Sequence, residues 1–375
     1  MQAVILVGGE GTRLRPLTTW MPKPIVTLVD RPFMAFMLQW LARHGVEDVI
    51  MACGFRADKV AEVLGDGSRY GVRLQYLEEP EPRGTAGALK FAEEHLQERF
   101  LMLNGDVLCD VDISAQINQH ESTGARGTLG LVAVDDPSAY GLVLCDDDHA
   151  VTGFLEKPGP DELEGIDHYL ISAGIYVLER SVLDLIEPDR MVSIEREIWP
   201  QLVGDGLYGY DAGNAYWLDI GTPDRYLEAT RDILAGAVET AVDQRLDGAR
   251  QSIGGTVEDG AHVDGPLIVE QGAVIRRGAH VHGPAVIGPD VVIEPGAIVE
   301  RSVVLDGCVI QAGAQVRDSI LAPRVSVGER SVVEANAVLG EGVVLPVDTI
   351  LDPGVKLFAD TQLAAGAISE RTSDE

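Results

Sequence analysis

The chain has little that would tie it to a polyanion, a membrane or an oxidising compartment. Its 375 residues carry 29 Lys+Arg against 60 Asp+Glu, a formal net charge of −31. That excludes the broad basic face that nucleic acid or an anionic membrane requires. The four cysteines, Cys53, Cys109, Cys145 and Cys308, form no CxxC pair, which argues against a disulfide framework or a zinc site and predicts buried thiols in a reducing compartment. No apolar run approaches the roughly 18 residues that span a bilayer, and the N-terminus opens on a strand without a basic leader. Both features predict a cytoplasmic chain.

What is present is an ordinary globular mix, 46% hydrophobic and 24% charged, long enough for two or three domains. Residues 1–235 alternate strand and helix signals, the pattern of a mostly parallel sheet covered on both faces. Strands are expected at Ala3–Val7, Val46–Cys53, Leu74–Leu77, Phe100–Leu103, Thr128–Val134, Ala173–Leu178 and Ala215–Ile220. Helices are expected after Pro32 (Phe33, Phe36, Met37, Trp40 and Leu41 at helical spacing, ended by Gly45), at Ala86–Gln97 and at Pro223–Leu234.

From Val257 the period becomes six. Val257, Val263, Val269, Ile275, Val281, Ile287, Ile293, Val299 and Leu305 are aliphatic at strict hexad spacing; the register slips by one at Ile310 and Val316 and again at Leu321. The hexads then continue to Leu357. Such spacing predicts a left-handed parallel β-helix, each hexad forming one flat side, with small residues such as Ala273, Ala279, Ala285 and Ala297 at the corners. The expected organisation is therefore a doubly wound, Rossmann-like α/β domain (1–235), a connection (236–256), a β-helix (257–357) and a partly disordered tail (358–375).

The densest chemistry lies in VGGEGTRLRPLTTWMPKP, Val7 to Pro24. Gly8, Gly9 and Gly11 follow an apolar strand and allow close backbone approach to an anion. Arg13, Arg15 and Lys23 supply charge, and Pro16, Pro22 and Pro24 stiffen the segment that carries it. A dinucleotide fingerprint would need a glycine at Leu14, and the Gly-Lys-Ser/Thr of a Walker loop is missing, so hydride transfer and ordinary ATP hydrolysis are not indicated. Two acids stand at strand ends: Asp106 in LNGD and Asp219 in YWLDIGT. Asp110 and Asp112 lie close behind the first, and Asp112 reads as the N-cap of a helix beginning near Ile113.

Gly-Gly-x-Gly-Thr-Arg-Leu-x-Pro-Leu-Thr followed by Pro-Lys-Pro resembles the signature of the sugar-1-phosphate nucleotidylyltransferases. SIEREIWP, WLDIGTP and the hexapeptide coil together look most like the guanylyltransferases that act on mannose 1-phosphate; short thymidylyltransferases of the family lack such a coil. The resemblance implies transfer of a nucleoside monophosphate from an NTP, with GTP favoured, to a sugar 1-phosphate, assisted by Mg²⁺ held by Asp106 and Asp219. Gly8, Gly9, Gly11, Thr12 and Arg13 would then handle the triphosphate, with Arg13 at the β and γ phosphates, and Lys23 would sit at the α-phosphate. Glu79, Gly84 and Thr85 correspond to the base-contacting loop, whereas Thr85 read alone is equally a helix cap. Tyr140, Gly141, Glu156, Lys157 and the segment Ile171–Tyr176 correspond to the sugar loops. This chain has Ser172 where the family carries an asparagine, a short hydroxyl in place of an amide.

Other readings stand beside this one. Transfer of thymidylate or uridylate to glucose 1-phosphate would leave the reaction class unchanged. The coil also suits acyltransferases, with His262, His280 and His282 as candidate bases, or a module that packs copies into a homo-oligomer. A non-catalytic NDP-sugar sensor would have lost the cationic loop or a metal aspartate, and neither is lost here.

Overall fold

The computed structural model describes residues 1–54, 56–138, 140–163, 166, 168–363 and 368–369; within them the side chains of Glu156, Ile368 and Ser369 lie outside the described residues. The chain divides into two compact units. One joins Met1–Glu10 to Met34–Asp219, and the other joins Gly11–Phe33 to the residues from Ile220 on. Division by contact thus differs from division by hydrophobic period, because the segment carrying Arg13 and Lys23 is grouped with the coil.

The first unit is built on a mixed sheet. Gln2–Val7 lies between Asp48–Cys53 and Arg99–Asn104, parallel to both, and Asp48–Cys53 pairs in turn with Arg73–Glu78, also parallel. The three inner strands are apolar runs because both faces are covered: Ala3, Val4, Ile5, Val49, Ile50, Met51, Leu101 and Met102 are all buried, whereas the edge strand Arg73–Glu78 is polar and largely open. Beyond Arg99–Asn104 comes Leu170–Glu179, antiparallel, followed by Gly127–Ala133 and the hairpin Gly141–Cys145/Val151–Glu156. Helix Phe33–Arg43 is buried almost all round, which is why its apolar residues exceed one face. It ends in a Schellman turn, with the Val46 N–H on the Leu41 carbonyl, the Gly45 N–H on the Ala42 carbonyl, and Gly45 at φ 75°.

Several elements differ from expectation. The third helix starts at Gly84 rather than Ala86 and gives way to a 3₁₀ turn at Glu93–His95. Short strands Val107–Cys109, Gly141–Cys145 and Leu207–Asp211 and helix Ala57–Leu64 were not anticipated. The strands are too short to show a period by themselves, and the ladders supply the partners that stabilise them, whereas the helix does carry one, with Ala57, Val60 and Leu64 buried on one face.

In the second unit, three parallel sheets wind the three-sided coil. Strand partners are 18 residues apart at first, as Val269 is from Ile287, then 17 apart for Ile287, Val304 and Leu321, then 18 again for Leu339. The inward residue after Val299 is therefore Val304, which sits in the coil's core, and not Leu305. The first register slip falls one hexad earlier than the hexad count places it, and the second falls at Leu321 as expected. The cause is a shortened corner: Arg301 at φ 44° turns the chain, and buried Ser302 donates to the Glu300 carbonyl while accepting the Ser319 N–H from the next turn. The same device recurs where Asp318 (φ 41°) and Ser319 precede Leu321.

The coil is also longer than its hexads. Gln251–Ile253 already pairs with Leu267–Val269, and Ile368–Ser369 pairs with Ile350–Leu351, inside the segment read as a tail. Residues between helix Pro223–Ala235 and the coil are not a plain tether. Thr240 and Asp243 form a capping box on the turn Ala241–Arg245, and Arg250 donates to the Ile233 and Leu234 carbonyls and to Asp243.

At the edge of the first unit His120 is fully enclosed, its Nδ1 on Thr128 Oγ1 (2.8 Å) and its Nε2 on Glu179 (3.1 Å). Burial pushes its pKa below the ordinary 6.5, against the opposing bond from Glu179. Burial raises the Glu179 pKa, but Arg99 and His120 outweigh it and leave the carboxyl below 4.5. Both folded-state values lie below their unfolded ones, so both groups stabilise most above the unfolded pKa and lose that contribution as pH falls. Thermal melting should fall from pH 7.5 to pH 5 more steeply in the native chain than in His120→Gln, whose curve should be flatter across pH 6.5.

Candidate functional site

The site-forming residues of the first unit hang from the carboxyl ends of its parallel strands. Because the chain passes from Gln2–Val7 to Asp48–Cys53 and Arg73–Glu78 on one side and then crosses to Arg99–Asn104 on the other, the end of Gln2–Val7 is the switch point where ligands of such sheets bind. Asn104 to Asp106 end one neighbour, Gly8 follows the central strand, Cys53 and Gly54 end the next, and Glu78 and Glu79 the last. Four strands side by side span three spacings, about 14 Å from the Asp106 end to the Glu79 end.

Glycine keeps this edge bare. A Cβ on Gly54 would lie 2.7 Å from the Gly8 carbonyl oxygen, and one on Gly105 would lie 2.4 Å from a Val7 methyl and 2.6 Å from the Leu6 carbonyl oxygen. Gly9, by contrast, has nothing within 4 Å of such a position, so space there is open.

Asp219 and Asp106 are brought together by a two-stranded ladder. Trp217–Asp219 runs antiparallel to Val107–Cys109, with Asp219 opposite Val107, the residue after Asp106. Asp110 secures the ladder: its carboxylate accepts the Tyr216 N–H at 2.7 Å, and its own N–H donates to the Tyr216 carbonyl. Asp112 caps helix Ile113–Thr123 by accepting the Ala115 N–H at 3.0 Å, as its position after the strand implies. Two half-buried carboxylates at neighbouring positions form a hard-oxygen donor pair. No group of three metal-ligating side chains occurs among the described residues. That donor set fits Mg²⁺, which takes one or two carboxylates and completes its shell with water and phosphate.

Glu79 stands at the other end. Its Oε1 lies 3.7 Å from where a Gly8 Cβ would be. Burial raises its pKa, opposed by the Arg83 N–H bond and the Arg83 charge. Thr85 is not a helix cap: it lies inside Gly84–Ala92, donates to Glu195 at 2.9 Å and accepts the Ile194 N–H at 2.8 Å. Ser193 donates to the same carboxylate. Gly84 is fixed from behind, since a Cβ there would lie 2.6 Å from the Val192 carbonyl oxygen.

The sugar-loop residues converge through the sheet. Gly141 pairs with Glu156, and the Lys157 N–H donates to the Tyr140 carbonyl, which sets two loops far apart in sequence side by side. Lys157 is exposed and adopts φ 47°; the Glu156 side chain lies outside the described residues. Ser172 opens a bulge in Leu170–Glu179, its hydroxyl 3.0 Å from Tyr176 Oη and accepting the Gly174 N–H. Gly174, at φ 71°, approaches Asn104 so closely that a Cβ would lie 2.7 Å from its side-chain nitrogen. Trp217, which sequence reading treated only as a strand residue, donates to the Ala173 carbonyl of the bulge and packs edge-on against Tyr140 at 5.9 Å. Its place two residues before Asp219 was the available signal.

Gly11, Thr12, Arg13 and Lys23 belong to the second unit. Gly11 (φ 63°) opens the 3₁₀ turn Thr12–Leu14, and its Cα faces Lys23 so closely that a Cβ would lie 3.2 Å from the Lys23 Cβ. Thr18 ties the loop by donating to the Gly11 carbonyl at 2.6 Å. Lys23 begins a second 3₁₀ turn, Lys23–Ile25, after Pro22. Arg13 lies against Gly221, where a Cβ would be 2.7 Å from its guanidinium, which explains the glycine of DIGT. None of the four thiols is poised as a nucleophile: burial pushes Cys53, Cys109 and Cys308 up to about 12 and Cys145 up to about 11.

A doubly wound sheet with a bare carboxyl edge, paired acids and a glycine loop running into cations defines a nucleotidyl-transferring class of protein. Residues 2–236 match the family described as Nucleotidyl transferase, and residues 263–357 match the GMPPB C-terminal domain. The chain belongs to the nucleotidyl transferase family. It is 39% identical over 287 residues to a mannose-1-phosphate guanylyltransferase of Mycobacterium tuberculosis, covering 73% of this chain and 76% of that one. It is 37% identical over 343 residues to the mannose-1-phosphate guanylyltransferase catalytic subunit beta of Drosophila melanogaster, covering 90% and 88%. Among solved structures, HddC from Yersinia pseudotuberculosis complexed with GMP-PN aligns with TM-score 0.52 and 29% identity, over 61% of this chain and 97% of that one.

Because Gly84 needs both a positive φ and the absence of a Cβ, Gly84→Ala should lower unfolding free energy by about 2–4 kcal/mol. Urea denaturation should show this as a lower midpoint at unchanged slope.

Proposed function

We propose that the protein transfers GMP from GTP to mannose 1-phosphate, forming GDP-mannose and pyrophosphate. The observation that carries the reading is the row Asp106, Gly8, Gly54, Glu79 along one sheet edge, acid and glycine at one end and a half-buried carboxylate at the other. Such a row accommodates a nucleotide lying across the strands, phosphates toward Asp106 and base toward Glu79.

A phosphate oxygen of the sugar 1-phosphate attacks the α-phosphorus in line, and the bond from that phosphorus to the oxygen bridging the β-phosphate breaks. Pyrophosphate leaves and no covalent enzyme intermediate forms. The protein's part is positioning and charge neutralisation. Arg13 holds the leaving β and γ phosphates through its forked donors, and Lys23 offsets charge at the α-phosphate. Asp106 and Asp219 would hold Mg²⁺, which when bound supplies neutralisation of phosphate charge. Lys157 pairs with the sugar phosphate, Gly141 and the bulge at Ser172 border the sugar, and the role proposed for Glu156 is to accept hydrogen bonds from the sugar hydroxyls. Ser172 is engaged with Tyr176 and Gly174, so it shapes the pocket wall as well as offering a hydroxyl.

Guanine is favoured by charge type. Its N1–H and 2-amino group are adjacent donors, which suit the two oxygens of Glu79, whereas uracil and thymine offer one donor flanked by acceptors and suit an amide. The names of the relatives support the same base and sugar. The outward-facing, half-exposed Val274, Val292 and Val309 on one side of the coil support assembly of copies through it. Free cysteines throughout fit a reducing compartment, and no helix among the described residues is long and apolar enough to cross a membrane.

Incubation with each NTP, a panel of sugar 1-phosphates and Mg²⁺ should release pyrophosphate fastest with GTP and mannose 1-phosphate. Lys23→Ala should lose at least about 100-fold in turnover with an unchanged melting curve; native turnover in that variant would remove Lys23 from the chemistry. Glu79→Gln should shift the GTP:UTP preference toward UTP by roughly 10-fold or more, read as the ratio of kcat/KM values.

A further inference from the structure

The segment between Gly11 and Phe33 ends in a small hairpin, Thr27–Leu28 against Arg31–Pro32, whose two-residue turn is Val29–Asp30. Each residue carries a cost there, Val29 in its backbone and Asp30 in its burial. Val29 is β-branched, 2% exposed and held at φ 58°, a region that branched side chains avoid. Asp30 carries a charge on a side chain only 3% exposed. Something outside the hairpin must hold it.

Asp30 receives two guanidinium groups. Arg31 donates from Nε and Nη2 at 2.6 and 2.9 Å, and Arg245 donates to the second oxygen. Arg245 then reaches Glu270, with Nη1 2.9 Å from Oε1 and Nη2 3.1 Å from Oε2. Glu270 directly follows the Leu267–Val269 strand of the coil, and Arg245 closes the capped turn Ala241–Arg245. The result is an alternating chain of two acids and two arginines, and it runs from the hairpin to the first turns of the coil. On the hairpin's other strand, Tyr226 of helix Pro223–Ala235 donates its hydroxyl to the Thr27 carbonyl.

We propose that Arg245 is a positioning residue for triphosphate handling: by clamping Asp30 to Glu270 it anchors the segment that carries Arg13 and Lys23 to the coil. Lys23 lies four residues before Thr27, and its 3₁₀ turn runs directly into the hairpin. Its position is therefore set by where the hairpin is held. The coil in this chain acts as a mount for the cationic segment, beyond any role in assembly. The proposal rests on the reading of Arg13 and Lys23 as phosphate ligands.

The test uses the full chain with Arg245→Ala, Arg245→Lys, Glu270→Ala and the Arg245→Ala/Glu270→Ala double variant. Two readouts are taken: kinetics with GTP and mannose 1-phosphate, and hydrogen exchange of peptides covering residues 24–33. Arg245→Ala should lower kcat/KM for GTP by between about 10- and 100-fold, leave KM for mannose 1-phosphate within about twofold, and speed exchange in the hairpin. Arg245→Lys, which keeps the charge but loses the fork, should fall between it and the native chain. Glu270→Ala should act in the same direction but less, and the double variant should be no worse than Arg245→Ala, since both changes break one chain of contacts. Native kcat/KM with native exchange in Arg245→Ala would overturn the proposal, as would equal losses for both substrates with unaltered hairpin exchange. Should Arg245→Ala fail to fold, Glu270→Ala carries the same two readouts. Lys23→Ala serves as the control: if it is fully active, the reading of the cations fails, and hairpin exchange alone then decides whether the clamp exists.

Discussion

Gln2–Val7 shares its backbone hydrogen bonds with Asp48–Cys53 on one side and Arg99–Asn104 on the other, both parallel, and the functional loops of the sheet unit follow from that. Parallel pairing aligns carboxyl ends, so Asp106, Gly8, Gly54 and Glu79 come out on one edge though Gly8 and Asp106 are 98 positions apart in sequence. Glycine at positions 54 and 105 then lets the chain close up where a Cβ would collide with its neighbours. What is left at the edge is backbone, carboxylates and open space, which is what a phosphate-bearing ligand and a hard cation need.

The ladder between Val107–Cys109 and Trp217–Asp219 adds a second constraint of the same kind. Asp110 closes it through two bonds with Tyr216, and Trp217 extends it to the Ala173 carbonyl. One short two-stranded piece therefore sets the spacing of the two acids and props the bulge at Ser172 against the Asn104 end of the sheet. The bulge explains how a serine is accommodated there: its hydroxyl satisfies a backbone N–H that the irregular ladder leaves over.

In the coil the governing quantity is the number of residues per turn. Eighteen keeps three hexads in register, and at the two shortened corners the buried hydroxyls of Ser302 and Ser319 bond the backbone of their own and the next turn. The hexad pattern places the second slip at Leu321, where the structure has it, but puts the first one hexad late, because Val304 and Leu305 are both aliphatic and either could point inward. Only the stacking of Ile287, Val304 and Leu321 distinguishes them.

The architecture was legible because both of its periods are long and regular: alternating strand and helix signals, and then aliphatic residues every six positions. The glycine loop, Arg13, Lys23 and the two aspartates were legible because unusual residue types cluster there at short spacing. By itself the sequence thus determined the fold class and the kind of chemistry, since both depend on local patterns that a few adjacent residues carry. Tertiary structure decided which loops meet, that Thr85 serves Glu195 instead of capping its helix, that Asp110 is a staple, and that Arg245 joins a hairpin 215 residues away to the coil. Those are pairings between distant segments, created by strand order and packing, and no local pattern in either partner specifies the other.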